Sequence, residues 1–303
     1  MPDRSRWIRP MAWLVVVSAA CGGCSAAAED PKLAPVEDVR GTYTLDRETG
    51  SITFPVDRFG VTAQEEAVLG SAGSVVLETC ARERGVEFLA WESRYVPEYE
   101  GSTLYGVWTS SLVERFGFVA PMSDADLRAN GVTTESPVDV ADTGATGQAR
   151  DWGLIDPSPD AENVLAECRD SAEFRAVDSA QFYRGEAWTV PIADASLAVE
   201  QSAPYDDAVD DLHRCLRDEG LEPDGLSVEG ADPSQISAEQ IELALRVVHC
   251  KDEVDFVHRA VVEVSRAQLP VVERYEDELT AHRAAIDEAL DRAQEILARS
   301  DLG

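Results

Sequence analysis

The sequence predicts a mainly α-helical protein made of two related, disulfide-stapled helical units, with a short N-terminal β-hairpin and long C-terminal helices. Three observations predict it. Tyr205, Ala208, Val209, Leu212, Cys215 and Leu216 recur at helical spacing, while Asp206, Asp207, Asp210, Asp211, Arg214 and Arg217 take the other side. A looser copy of this stretch runs from Gly70 to Glu87, and both copies carry Cys-x4-Gly followed by Val or Leu and then Glu. Cys168-Arg-Asp-Ser-Ala-Glu-Phe174 and Cys250-Lys-Asp-Glu-Val-Asp-Phe256 echo each other in the same way. Each unit thus begins with one cysteine-bearing helix and closes with another.

The chain has 303 residues and is 44% apolar, enough for one large or two modest domains with a real core. It carries 58 acidic against 26 basic residues, a net charge of −32. Such a chain repels phosphate polymers, so no nucleic-acid partner is expected.

The N-terminus sets the compartment. Arg4, Arg6 and Arg9 precede the apolar run Met11–Ala20, which is too short to span a bilayer and suits a signal sequence. Ser18-Ala19-Ala20-Cys21 resembles the bacterial lipobox, so residues 1–20 read as a lipoprotein signal peptide and Cys21 as the lipidated residue, with Cys24 as the alternative. Cleavage there would leave a net charge of −34, because three arginines and Asp3 are removed. Residues 21–39 are small, proline-bearing and charged, and read as a lipidated flexible tether. The expected location is the extracytoplasmic face of the cell membrane, held by the lipid anchor.

The first unit spans 40–200. Gly41–Leu45 and Ser51–Phe54 alternate around Asp46–Gly50, a hairpin signal. Thr62 and Glu65 have the spacing of a capping box, opening a helix that Gly70 and Gly73 should interrupt before Cys80 and Gly85. An aromatic-rich insertion, 91–118, follows, with a short helix over Ser110–Arg115 that ends at Gly117. Trp91, Tyr95, Tyr105 and Trp108 within it form the candidate ligand pocket. Residues 130–159 read as a long irregular loop. Ser158 and Pro159 start a helix expected to run through Cys168 and Phe174 to about Tyr183, and another covers Pro191–Gln201.

The second unit spans 201–303. Its first helix closes at Gly220, with Leu221 as the apolar contact behind the turn. Ser237 and Gln240 form a second capping-box pattern, opening a helix expected to pass Cys250 and Phe256 and to kink or break at Pro270. Leu279, Ile286, Ala289, Leu290, Ala293, Ile296 and Leu297 then mark a long terminal helix.

Outside the cytoplasm the four cysteines of the body should be oxidised. Three pairings are possible, and the repeat favours Cys80–Cys168 with Cys215–Cys250. Zinc at His213, Cys215, His249 and Cys250 is the rival reading, disfavoured because adjacent helical residues point about 100° apart. Asp142-Thr-Gly copies an aspartic-protease signature but occurs once, where two aspartates are required. Nucleophile elbow, phosphate loop, zinc-protease motif and dinucleotide fingerprint are all absent from the sequence. No catalytic residue, cofactor or metal is therefore assigned.

Several stretches taken together carry a resemblance: Ile52–Asp57, the Cys80-x4-Gly85 helix, Leu104–Gly106 with Phe116–Phe118, the Cys215-x4-Gly220 helix, and Val247–Cys250. On them the chain resembles a family of uncharacterised, secreted or lipid-anchored actinobacterial proteins. The resemblance implies an α-rich lipoprotein and implies no particular activity. The expected function is that of a non-enzymatic binding or accessory component of the cell envelope, partnered by the membrane through its anchor and by an envelope protein. The alternatives are a small-molecule or peptide binder using the aromatic segment 91–118, and a hydrolase using a carboxylate pair.

Overall fold

A computed structural model describes residues 33–93, 95, 104–122, 127, 130–134, 153–154, 158–183 and 185–300. Cys21, Cys24, the signal-like run and the Asp142-Thr-Gly motif lie outside the described residues. Strand β1 (Thr44–Leu45) pairs antiparallel with β2 (Ile52–Thr53), giving the expected hairpin. Asp46 holds its turn by accepting from the backbone N–H groups of Glu48 and Thr49.

Helix α1 (Ala63–Glu83) starts from the full capping box of Thr62 and Glu65. It runs unbroken through Gly70 and Gly73, against expectation. Both glycines lie where another segment comes close: a Cβ at Gly70 would sit 2.8 Å from Ser93 Oγ, and one at Gly73 3.4 Å from the Phe174 ring. Gly70 serves a close approach rather than a break, while a methyl group at Gly73 would just reach contact distance from the ring. After β3 (Phe88–Leu89), helix α2 (Ser110–Phe116) ends on Gly117 at φ 59°.

The described ends of the expected 130–159 loop carry two short strands. β4 (Thr133–Thr134) and β5 (Gly153–Leu154) pair respectively with β8 (Gln235–Ile236) and β3. The helix expected from Ser158 to Tyr183 is three pieces: α3 (Pro159–Arg169), α4 (Ala172–Arg175) and a 3-10 turn at Ser179–Tyr183. Ser171 makes the break, because its side chain accepts from Phe174 N–H and caps a new helix.

Helix α5 (Thr189–Val199) leads into α6 (Ala203–Asp218), the acidic amphipathic helix, which buries Ala208, Leu212 and Leu216. A small hairpin of β6 (Pro223–Asp224) and β7 (Ser227–Val228) follows. Helices α7 (Ala238–Glu253), α8 (Phe256–Arg274) and α9 (Glu276–Leu297) complete the fold. Ser237 caps α7 as expected, but Gln240 ties into the preceding loop, accepting from Asp232 N–H and donating to Gly230 O.

The expected break at Pro270 falls instead at Asp255, whose left-handed φ of 53° separates α7 from α8. Pro270 stays inside α8. A proline withdraws the N–H that would bind the carbonyl four residues earlier, Arg266 O. Ala34 N–H fills that vacancy at 3.0 Å, while Arg266 Nε donates to Ala34 O at 2.8 Å. Val39 is fully buried beside Leu269, so the stretch read as the end of a tether is docked on α8.

Both expected disulfides are present, Cys80–Cys168 and Cys215–Cys250. The helices that carry Cys80 and Cys215 end identically. Gly85 and Gly220 take φ of 76° and 73°, and Val86 and Leu221 donate back to Ala81 O and Leu216 O. One core joins α6, α7 and α8 with the hairpin and the 104–109 loop; a second joins α1, α9 and the 177–182 stretch. Arg283 of α9 fastens the start of α1, binding both Glu65 oxygens, Gly60 O and Asp287.

Candidate functional site

Helix α1 buries Leu69, Ala72, Leu77 and Ala81 and leaves Thr79, Arg82 and Glu83 exposed on its later turns. Helix α9 lies along it, burying Ile286, Ala289 and Ala293. Where the C-terminal turns of α9 pass α1, the two leave a groove of about 880 Å³, closed at one side by Ala90 and by Ser171 and Glu173 at the start of α4. Val75, Val76 and Ile296 supply its apolar surface; Glu78, Arg82, Glu83, Arg292 and Arg299 supply charge.

The charges are unevenly satisfied. Arg299 pairs with Glu295 at 3.1 Å. Arg84 donates to Cys80 O at 3.2 Å, and its guanidinium lies 2.7 Å from Cys80 Sγ and 3.7 Å from Cys168 Sγ. Arg82, Arg292, Glu78, Glu83 and Glu173 form no ion pair among the described residues. The groove therefore offers free partners of both signs beside an apolar strip, in a chain that is otherwise strongly acidic. Such a surface can bind a ligand carrying both charges.

The aromatic residues named from sequence go elsewhere. Tyr105 and Trp108 are 4% and 3% exposed in the α6–α7–α8 core, Tyr105 lying edge-on to Phe256. Trp91 belongs to the cluster around the first disulfide, against Phe88, and its backbone exchanges hydrogen bonds with Ser74 Oγ. Tyr95 is half-buried. Trp91 and the Tyr105–Trp108 pair thus serve different clusters, because each ring gains more by closing a core than by lining a slot. The cavity beside Trp108 is about 40 Å³, far below the roughly 300 Å³ at which small-molecule sites begin.

Loop 104–109 has another task that sequence reasoning missed. Lys251 is 1% exposed and donates from Nζ to Tyr105 O at 2.5 Å and Val107 O at 2.8 Å. Gly106, at φ 64°, brings the loop round it, and a Cβ there would stand 3.2 Å from Nζ. Burial lowers the Lys251 pKa to about 7. A signal was available: Ala244, Val247, Val248 and Lys251 share one helical stripe.

A second missed constellation links the hairpin to α8. Tyr43 OH lies 3.0 Å from His258 Nε2, and His258 Nδ1 lies 2.8 Å from Asp255 Oδ2. The chain of three could orient a proton, but its evident effect is to fasten β1 to the start of α8.

The zinc alternative fails on chemistry, since both cysteines it needs are oxidised. His213 is half-buried and bonds Gly225 O at 2.8 Å. Among the described residues no group of three or more His, Cys, Asp and Glu side chains is placed to hold a metal ion. No helix among them is long and apolar enough to cross a membrane. No family model, no curated protein and no solved structure matches the chain.

Proposed function

We propose that the protein is a non-enzymatic binding component of the cell envelope, lipid-anchored through Cys21 on the extracytoplasmic face, that takes its ligand in the groove between α1 and α9. The observation that carries this reading is the groove itself: a concavity of about 880 Å³ whose lining includes Glu78, Arg82 and Glu83 of α1, Glu173 of α4 and Arg292 of α9, none of them in an ion pair among the described residues. Ligand sites combine an apolar strip with a few unsatisfied polar groups in this way. The ligand class that fits is a peptide segment, from an envelope protein or free, that presents charges of both signs.

Pulldown from crosslinked membranes tests it. The unsubstituted chain should enrich an envelope protein or peptide, and Arg82→Glu with Arg292→Glu should abolish that enrichment while leaving the folded far-UV spectrum unchanged. Equal recovery by both proteins, or none by either, would remove the groove from the proposal. Intact mass of membrane-extracted protein reads the anchor separately: a diacylglycerol adduct on Cys21 is expected.

A further inference from the structure

Helix α5 is the least polar of the helices among the described residues. Its eleven residues include one charged side chain, Asp194, and neither Lys nor Arg. Ala195 and Val199 face inward, packed on Val264 and Ala267 of α8. Val190, Ala193, Leu197 and Ala198 face outward along one stripe, and Val190 and Leu197 remain 66% and 55% exposed. Isolated exposed apolar residues need no explanation, but a whole helical stripe does.

The path of the chain indicates what covers it. Leu33, the first described residue, packs against the inner side of the same α5–α8 cluster, and Ala34 is locked to Arg266 on both its backbone groups. The N-terminal segment therefore leaves the folded body beside α5. Cys21 stands twelve residues upstream of Leu33. That length reaches at most about 40 Å when fully extended, and on average roughly 20 Å if it behaves as a flexible coil. An acyl chain on Cys21 would hold α5 close to the bilayer at a high effective concentration, where even a weak contact is populated.

We propose that the outward face of α5 rests on the lipid bilayer, with Val190 and Leu197 dipping into the interface. This rests on reading Cys21 as the lipidated residue. The chemistry favours an uncharged or zwitterionic lipid surface: α5 offers no cation to anionic headgroups, and Asp194 on the same stripe repels them and limits penetration to headgroup level. The contact would fix how the body stands on the membrane.

The test uses the chain from residue 21 with Cys21→Ser and Cys24→Ser, held by an N-terminal hexahistidine on phosphatidylcholine vesicles containing a nickel-chelating lipid. An environment-sensitive fluorophore is placed by Leu197→Cys, with Glu239→Cys, exposed on α7, as the control and Val190→Cys as a second reporter. Headgroup-labelled nitroxide lipid should quench the label at 197 and at 190 roughly twofold more than at 239. Replacing a third of the phosphatidylcholine by phosphatidylglycerol should reduce that difference. Equal quenching at all three sites would overturn the proposal. So would a change at 197 that follows protein density instead of nitroxide lipid, which would mean that a second copy covers the face. The artificial anchor keeps the outcome independent of native acylation, which the mass of the membrane-extracted protein reports on its own.

Discussion

Lys251 concentrates unfavourable chemistry into one side chain. A cation taken out of water is costly unless it is paired, and among the described residues Lys251 forms no ion pair. Two main-chain carbonyls receive it instead, and they belong to the loop that also buries Tyr105 and Trp108. The arrangement makes stability depend on pH with a definite sign. Burial holds the folded-state pKa near 7, against 10.5 in an exposed chain. Between those values the unfolded chain binds more protons than the folded one, so stability rises with pH across that window and the full cost remains below it. From pH 7 to pH 9 the gain should be roughly 2 kcal/mol. Tyr105 is raised by burial and by nearby Tyr205 and Glu200, so it opposes the rise only where the unfolded phenol begins to ionise, near pH 10, and leaves the interval from pH 7 to pH 9 clear. Urea unfolding at pH 7, 8 and 9 should show the rise in the natural protein and a flat profile in Lys251→Met. A flat profile in both would mean that the ammonium is stabilised by its carbonyls well enough to stay charged. The residue was half legible: its place on an apolar stripe can be read from sequence, but its acceptors come from a loop about 145 residues away.

Elements were legible where local chemistry decides them and misread where a distant partner decides. The capping box at Thr62, the serine cap at Ser158 and the two glycine-terminated cysteine helices follow from a few adjacent residues, and all are present. Gly70 and Gly73 were misread because Ser93 and Phe174, which approach them, lie far along the chain. Pro270 was misread because Ala34, more than 200 residues away, occupies the carbonyl it frees. The contact at Gly73 sets a sharp expectation. Its Cβ would meet the Phe174 ring at ordinary van der Waals distance, so Gly73→Ala should gain about 0.5–1 kcal/mol from helix propensity. Gly73→Leu must displace that ring and should lose about 1–3 kcal/mol; chemical denaturation of the two variants gives both signs. The staples can be ranked in the same way. Cys80–Cys168 closes a separation of 88 residues and Cys215–Cys250 one of 35. In the chain-entropy account they contribute about 4.6 and about 3.8 kcal/mol. Replacing the first pair by alanines should therefore destabilise more, by about 1 kcal/mol, in parallel denaturation curves.

At the scale of the whole molecule, the helical class, the hairpin and the cysteine pairing could be read from periodicity and repeat alone, whereas the groove could not. It is made where α1 passes α9, and Arg82 and Arg292 acquire meaning only when helices about 210 residues apart are laid together. The chain's net charge of −32 acts at this same scale. Crowding that charge onto one folded body raises its energy relative to the expanded chain, because like charges come closer on folding. Many of the ion pairs that oppose this are exposed, as in Arg47–Asp252, Arg175–Asp170 and Arg299–Glu295, and each contributes little. Salt weakens both effects. The screening length falls from about 30 Å at 0.01 M to below about 8 Å at 0.5 M, short enough to suppress repulsion across the surface while contact pairs lose only a fraction of theirs. The repulsion is the larger quantity here, so the melting temperature should rise with sodium chloride, by about 5 °C between 10 mM and 500 mM. Calorimetry in sodium chloride and potassium chloride at matched ionic strength checks it. Equal increases in the two salts identify screening, an increase confined to one identifies specific binding of its cation, and a decrease in both would show that the surface pairs outweigh the net charge.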